Sequence, residues 1–353
     1  MADITIIYND NILEGTLKLL EATNLKDLVN ANMKVSIKPN LVNATPASKG
    51  ATTHSEVVEG IIMYLHSLNV SDIEIIESSW IGGNTKEAYR VCGYKQLCEK
   101  YNIPFYDLKD DEIQVVDTGK HKIEVCKKAI NTDFLINVPV LKAHSQTSLT
   151  CNLKNLKGCI SDEDKRRFHA IGLFEPIAYL NKAIPTDFCV VDGICGDLTF
   201  ELGGDPVTRN MLIAGSDPLL VDSYCAQLIG YDPYELEYLC ISHDIGIGKM
   251  YSEGTSVLEL GGNQKPVHVK ADSSIAKRLA THINEDKACS ACYAALIYGL
   301  YNGTEPDEKI DIGQGFIGKS GNIGCGNCCS GYHKFVPGCP PRAVKVKEFL
   351  DSL

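Results

Sequence analysis

Met33-Lys-Val-Ser-Ile-Lys38, Glu56–Leu68 and Ile73-Glu-Ile-Ile-Glu-Ser78 follow one another in the first quarter of the chain, and their alternation decides the fold. The outer two segments are short, apolar and rich in β-branched residues, as strands are. Between them Val57, Ile61, Ile62 and Leu65 recur at helical spacing, with Thr53 and Ser55 as candidate caps. Strand, helix and strand in succession mark a mostly parallel sheet covered by helices. Upstream, Asp3–Tyr8 reads as another strand. Downstream, a Gly82–Gly83 turn leads into a helix from about Lys86 to Tyr101, and Ile113–Val116 with Lys122–Val125, joined through Gly119, reads as a hairpin. Phe134–Val138, Thr186–Val191 and Asn210–Ile213 read as further strands. Asp217-Pro218 supplies a capping residue and a proline at the first position of a helix that stops at Gly230. The expected fold is α/β: a mostly parallel sheet covered by helices over residues 1–270, then a smaller C-terminal α/β part over 271–353. The polar stretch Gly261–Asp286 marks the boundary.

The chain has 353 residues, 44% of them hydrophobic and 22% charged, enough to bury a sizeable core. A net charge of −11 without a long basic run argues against nucleic acid as a partner. The N-terminus has neither the basic nor the apolar region of an export signal. Cys292–Leu300, the longest apolar-looking run, is half a membrane span. A cytoplasmic chain is expected, with no membrane partner and an oligomeric state that the sequence leaves open.

Fifteen cysteines are unevenly spread. Nine are scattered before Lys287 and read as small buried hydrophobes. The other six crowd together: Cys289, Cys292, Cys325, Cys328, Cys329 and Cys339. Cys289-Ser-Ala-Cys292 opens a helical pattern (Tyr293, Leu296, Ile297, Leu300), which puts both sulfurs on one side of its first turn, where the helix dipole favours thiolate. A strand at Lys309–Ile312 and a glycine-rich loop follow, then Cys325-Gly-Asn-Cys328-Cys329 and Gly338-Cys339-Pro340-Pro341. Zinc on Cys289, Cys292, Cys325 and Cys328 is one reading, although the gap exceeds zinc-ribbon spacing and Cys339 is left over. Six unligated thiols is another. An iron–sulfur site would use Cys289, Cys292, Cys339 and one of Cys325, Cys328 or Cys329, with proline after cysteine as is familiar among cluster ligands.

Cys289-Ser-Ala-Cys292-Tyr293, Ile312-Gly313-Gln314-Gly315-Phe316 and Val336-Pro-Gly-Cys339-Pro-Pro341 resemble the C-terminal part of the domain of unknown function 362 family. Its members are widespread in anaerobes and are often described as iron–sulfur proteins. The Pro-Gly-Cys-Pro-Pro segment is also similar to the cluster loop of the small subunits of complex I and nickel–iron hydrogenases. The resemblance implies one 4Fe–4S cluster on Cys289, Cys292, Cys328 and Cys339.

Polar residues follow several strands: Lys38-Pro39-Asn40, Glu77-Ser78-Ser79, Lys142-Ala143-His144 and Asp192-Gly193. Ligands of open α/β sheets bind outside the carboxyl ends of the strands, so these ends are expected to line one crevice. In Asn152-Leu-Lys-Asn155-Leu-Lys157-Gly158 the two Asn and the two Lys each share a helical face. Lys38, Lys142 and Lys157 would make a positive pocket for an anionic small molecule, with Asn40, Asn155 and Asp192 beside them and His144 transferring a proton. Surface lysines and a structural histidine are the plainer alternative. Several of these positions look like signature positions of the same family. Asp222 reads as a ligand contact or a support for a neighbouring loop, and Lys165-Arg166-Arg167, which His169 closely follows, reads as a solvated face. No Walker A, first-strand Gly-x-Gly-x-x-Gly or Gly-x-Ser-x-Gly is present, and Gly193-Ile-Cys-Gly196 and Gly203-Gly204 are too loose for a nucleotide loop.

Three functions follow. The first is an oxidoreductase whose cluster relays electrons to or from an anionic small molecule or a redox partner protein. The second is a non-redox isomerase or lyase, since the family's body looks distantly like lactate racemase, with the cluster structural or a Lewis acid. The third is a ferredoxin-like electron carrier.

Overall fold

The structure is a computed structural model that describes residues 2–201, 204–272 and 274–353; Gly203 of the Gly203-Gly204 pair lies outside them. In chain order the strands are β1 (Ile4–Tyr8), β2 (Val35–Pro39), β3 (Ile73–Glu77), β4 (Phe105–Asp107), β5 (Ile113–Asp117), β6 (Lys122–Cys126), β7 (Phe134–Val138), β8 (Lys142–His144), β9 (Ser148–Thr150), β10 (Phe188–Asp197), β11 (Pro206–Gly215) and β12 (Val257–Leu260). The C-terminal part adds β13 (Ile283–Glu285), β14 (Ile310–Ile312), β15 (Ile323–Cys325) and β16 (Lys334–Val336).

Eight strands form the main sheet in the order β12-β1-β11-β10-β7-β2-β3-β4. β1 pairs parallel with β12, and β10, β7, β2, β3 and β4 run parallel to one another; β11 is antiparallel to both β1 and β10. Side chains alternate between two cores. Ile4, Ile6, Ile76, Leu135, Val191 and Ile213 face one, while Ile7, Ile75, Phe134, Ile136, Val190 and Leu212 face the other. Two-faced burial explains why these strands read as continuous apolar runs. Apolar side chains of the Ile12–Glu21 and Ser55–Ser67 helices enter the second core, and those of Phe174–Ala183 and Pro218–Leu228 the first.

Some local expectations are corrected. The Ser55–Ser67 helix has no side-chain cap: Thr53 Oγ1 instead donates to Val138 O (2.7 Å) and accepts from Asn40 N (2.8 Å), tying the ends of β2 and β7 together. The helix expected from Lys86 to Tyr101 is two, Thr85–Val91 and Tyr94–Tyr101, because Gly93 between them is left-handed at φ 83°. β10 runs six residues beyond the expected end at Val191, because its antiparallel pairing with β11 continues to Asp197. Asp217 does cap the Pro218–Leu228 helix, accepting from Leu219 N and Leu220 N at 3.0 Å.

β13 to β16 form a separate four-stranded parallel sheet. It packs with the Ser290–Asn302 and Ala343–Leu350 helices around Leu296, Leu300, Ile310, Ile312, Val336 and Val346. Phe200 meets Tyr301 with ring centroids 4.7 Å apart, joining the two sheets' layers. Among the described residues no helix is long and apolar enough to cross a membrane.

Candidate functional site

Beyond the carboxyl ends of β2, β3 and β7 lies a cavity of about 120 Å³. Asn40 enters it after β2, Glu77, Ser78 and Trp80 at the end of β3, and Lys142 and His144 from β8. The Asn152–Asn155 helix and the 3-10 turn Leu156–Cys159 bring Lys154, Asn155 and Lys157, so both lysines line the cavity, whereas Asn152 lies outside its lining. Lys165 and His169 come from the Asp162–Ile171 helix, Glu201 from the loop after β10, and Cys289 and Ser290 from the C-terminal part.

The ions are unevenly matched. Lys38, fully buried, does not line the cavity: its Nζ donates to Glu77 Oε2 at 2.7 Å and Pro39 O at 2.9 Å behind the wall. Glu77 is then occupied, since it also accepts from Leu41 N and Ser78 N. Lys165 Nζ is held by Ser78 Oγ (2.8 Å), Ser79 O (3.2 Å) and Asp162 Oδ1 (3.1 Å), so its segment is no solvated face as the sequence suggested. Lys142 Nζ donates to Ala51 O and Glu201 O, both at 2.9 Å. Lys157 Nζ lies 3.1 Å from His169 Nε2, and Lys154 Nζ lies 3.4 Å from Thr150 Oγ1. Burial pushes the Lys142 and Lys157 ammonium groups down to about 8, against the pull of Glu201, and lowers Lys154 as well. Glu201, which burial alone would raise, is kept low by His144 and the lysines.

His144 was expected to transfer a proton, but both its ring nitrogens are occupied. Nδ1 accepts from Gln146 N (3.0 Å) and Thr147 N (3.3 Å), which leaves the proton on Nε2, 2.8 Å from Glu201 Oε2. Burial drives its pKa down to about 4, so the ring is neutral at pH 7. His169 faces the cavity too, and Ser290 Oγ, 3.4 Å from His169 Nε2, donates to Gln146 Oε1 at 2.6 Å.

Other polar residues build the scaffold. Asn155 Nδ2 donates to Asn137 Oδ1 (2.8 Å), and Asp222 accepts from Asn152 N, Asn152 Nδ2 and Leu153 N at 2.8–3.0 Å, so Asp222 supports this loop. Asp192 lies inside β10, not after it, and is fully buried outside the cavity lining. Its Oδ2 accepts from His54 N at 2.7 Å and lies 2.8 Å from His54 Nδ1.

A second cavity, of about 290 Å³, is lined by Cys289, Cys292, Cys325, Cys328 and Cys339 together with Arg166, Gln314 and Ile317. Cys289 caps the backbone of the Ser290–Asn302 helix, with Cys292 on its first turn. Burial, against the pull of Lys157 and with Cys339 and Cys328 adding to it, pushes the Cys289 thiol up to about 11; Cys292 is raised by burial and then by all four other cysteines of the cavity. Cys329 is turned away: its thiol donates to Asp311 O (3.2 Å) and packs with Phe316 and Tyr332. Among the described residues no three His, Cys, Asp or Glu side chains are gathered closely enough to grip one metal ion. Lys165, Arg166 and His169 all sit on one helix, whose successive positions therefore reach both cavities. Glu201 gave no signal in the sequence.

The thylakoid-associated protein sll1697 of Synechocystis sp. is 24% identical to this chain over 253 residues, 69% of the chain and 78% of the relative. Lactate racemase apoprotein from Thermoanaerobacterium thermosaccharolyticum matches in structure with a TM-score of 0.41 at 15% identity, over 69% of this chain and 57% of that one. A protein from Thermotoga maritima matches with a TM-score of 0.39 at 15% identity, over 67% and 60%. The chain thus spans less than two thirds of the length of either solved structure. A family model described as a domain of unknown function, DUF362, matches residues 35–227, a span that holds the sheet ends and the lysines but stops short of the six terminal cysteines. The chain belongs to the DUF362 family.

Proposed function

We propose that this chain is an iron–sulfur oxidoreductase, with a 4Fe–4S cluster on Cys289, Cys292, Cys328 and Cys339 beside a cationic cavity that holds a small anionic substrate. One observation carries the reading: Cys289 lines both cavities, so a metal centre on its sulfur would share a wall with whatever the lysines hold. The thiol set suits a cluster. Five cysteines line one cavity of about 290 Å³, and soft thiolate ligands are the kind that iron–sulfur clusters take. Bound there, the cluster would supply one-electron transfer between the anion and an external one-electron carrier.

The chain's own residues do the rest. Lys142, Lys154 and Lys157 attract the anion, and Asn40 offers a polar contact along the wall, while Asn155 braces it through Asn137. Lys38 holds Glu77 in place, and Asp192 holds the His54 turn. His169 is placed to exchange a proton with the ligand, while His144 orients Glu201. A plain carrier has no need of a buried cationic cavity. A cytoplasmic location suits the reading, because free thiols and clusters persist in reducing compartments.

The test is electron paramagnetic resonance on anaerobically purified, dithionite-reduced protein, with and without a saturating small carboxylate. The cluster signal should appear, shift on adding the carboxylate, and lose that shift but not the signal in Lys157→Met. A cluster that resists reduction favours the isomerase or lyase reading; a signal indifferent to every anion contradicts the shared wall.

A further inference from the structure

The Asp162–Ile171 helix carries three successive cations, Lys165, Arg166 and Arg167, and they go to different places. Lys165 lines the anion cavity and pairs with Asp162 at 3.1 Å, while Arg167 pairs with Asp164 at 2.6 Å. Arg166, between them, lines the thiol cavity instead. Among the described residues it is the one Lys or Arg of that lining, and no Asp or Glu joins it there. No carboxylate of the described residues lies within ion-pairing distance of it either. The acid one turn back, Asp162, faces Lys165 and Lys109, and Arg166 Nη1 donates to its backbone O at 3.3 Å.

The helix is fastened to this cavity. Gln314 Nε2 donates to Arg166 O at 3.0 Å and to Lys287 O at 3.4 Å, and it lies 3.8 Å from Cys289 Sγ. The backbone that carries Arg166 is thereby tied to the loop that carries the first thiol. The charge of the half-buried Arg166 is felt at two of the four proposed ligands. Burial raises both thiols, and against it Lys157 pulls Cys289 down while Arg166 pulls down Cys289 and Cys328. A guanidinium keeps its charge at every working pH. When a 4Fe–4S centre on four thiolates accepts one electron, its negative charge grows by one and no bond is made or broken. A fixed positive charge beside it therefore favours the reduced form over the oxidised one. We propose that Arg166 tunes the cluster, holding its reduction potential above the value that the thiolates alone would set. This role rests on the cluster reading of the thiol cavity.

A redox titration followed by electron paramagnetic resonance tests it, on full-length, anaerobically purified protein with iron counted per chain. Arg166→Gln should keep its iron and lower the midpoint by about 59 mV, a tenfold loss in the ratio of reduced to oxidised cluster for a one-electron couple. Arg166→Lys, which restores the charge without the planar fork, should recover most of that loss. An iron-loaded Arg166→Gln with the wild-type midpoint overturns this role and leaves the cluster standing. An equal fall in both variants, or loss of iron from both, makes Arg166 a packing residue and overturns the role as well. Wild-type protein that binds no iron, or whose cluster dithionite does not reduce, overturns the oxidoreductase reading and this role with it.

Discussion

Lys142 has three protons and two backbone acceptors, so one N–H remains for a ligand. With its pKa pressed down to about 8 by burial, and with Glu201 and Asp197 facing it as counter-charges and Lys154 as a like charge, it is an ammonium at neutral pH. Anion affinity measured calorimetrically should therefore fall as pH rises through about 8, and Lys142→Met should weaken binding at pH 7 by about 1.5–3 kcal/mol and flatten that fall. His144 works on stability. Its folded pKa of about 4 lies below the ordinary 6.5, so the unfolded chain binds the extra proton first. The stabilisation is complete above pH 6.5 and is lost as pH falls toward 4, by a few kcal/mol, and His144→Gln should reduce that loss in urea titrations at pH 7 and pH 5. Lys142, Lys157 and Asn155 were legible in the sequence because polar residues just past apolar strands fall at a sheet's carboxyl edge. Lys38 and Asp192 belong to the same pattern yet are engaged internally, since pattern alone does not say which buried charge meets which. Lys165 and His169 were hidden because a basic run beside acids reads as solvated, and only the packing of their helix against Ser78 and Ser290 turns it inward.

At the level of elements, the turn Leu156–Cys159 is where the cavity wall is most tightly constrained. A Cβ on Gly158 would fall 2.1 Å from Glu77 Oε1 and 2.9 Å from Lys38 Nζ, so only glycine lets the turn pass this close to the buried pair. Gly158→Ala should break or displace that pair and cost about 3–5 kcal/mol in chemical denaturation. Asp217→Ala removes the cap of the Pro218–Leu228 helix and the acceptor for Lys249 N, and should cost about 1–2 kcal/mol, read as a lowered Tm. The helices and strands were largely visible as periodic apolar patterns. What escaped was set by partners far along the chain: the extension of β10 by β11, and the diversion of Thr53 from capping to bridging two strand ends.

Across the whole molecule, the loops and short elements beyond the main sheet present the lysines and the C-terminal part presents the thiols, and the two meet at Cys289 and Ser290. The gathering of Cys289, Cys292, Cys328 and Cys339 around one space was legible from spacing and from family resemblance; the exclusion of Cys329 was not, because it depends on Asp311 accepting that thiol. Cys328→Ser should therefore lose most of the bound iron while Cys329→Ser keeps it. The most direct measurement is iron and acid-labile sulfide per chain on protein purified without oxygen. The account expects about four of each, on brown protein. Colourless protein with one zinc per chain, or with no metal at all, would contradict it.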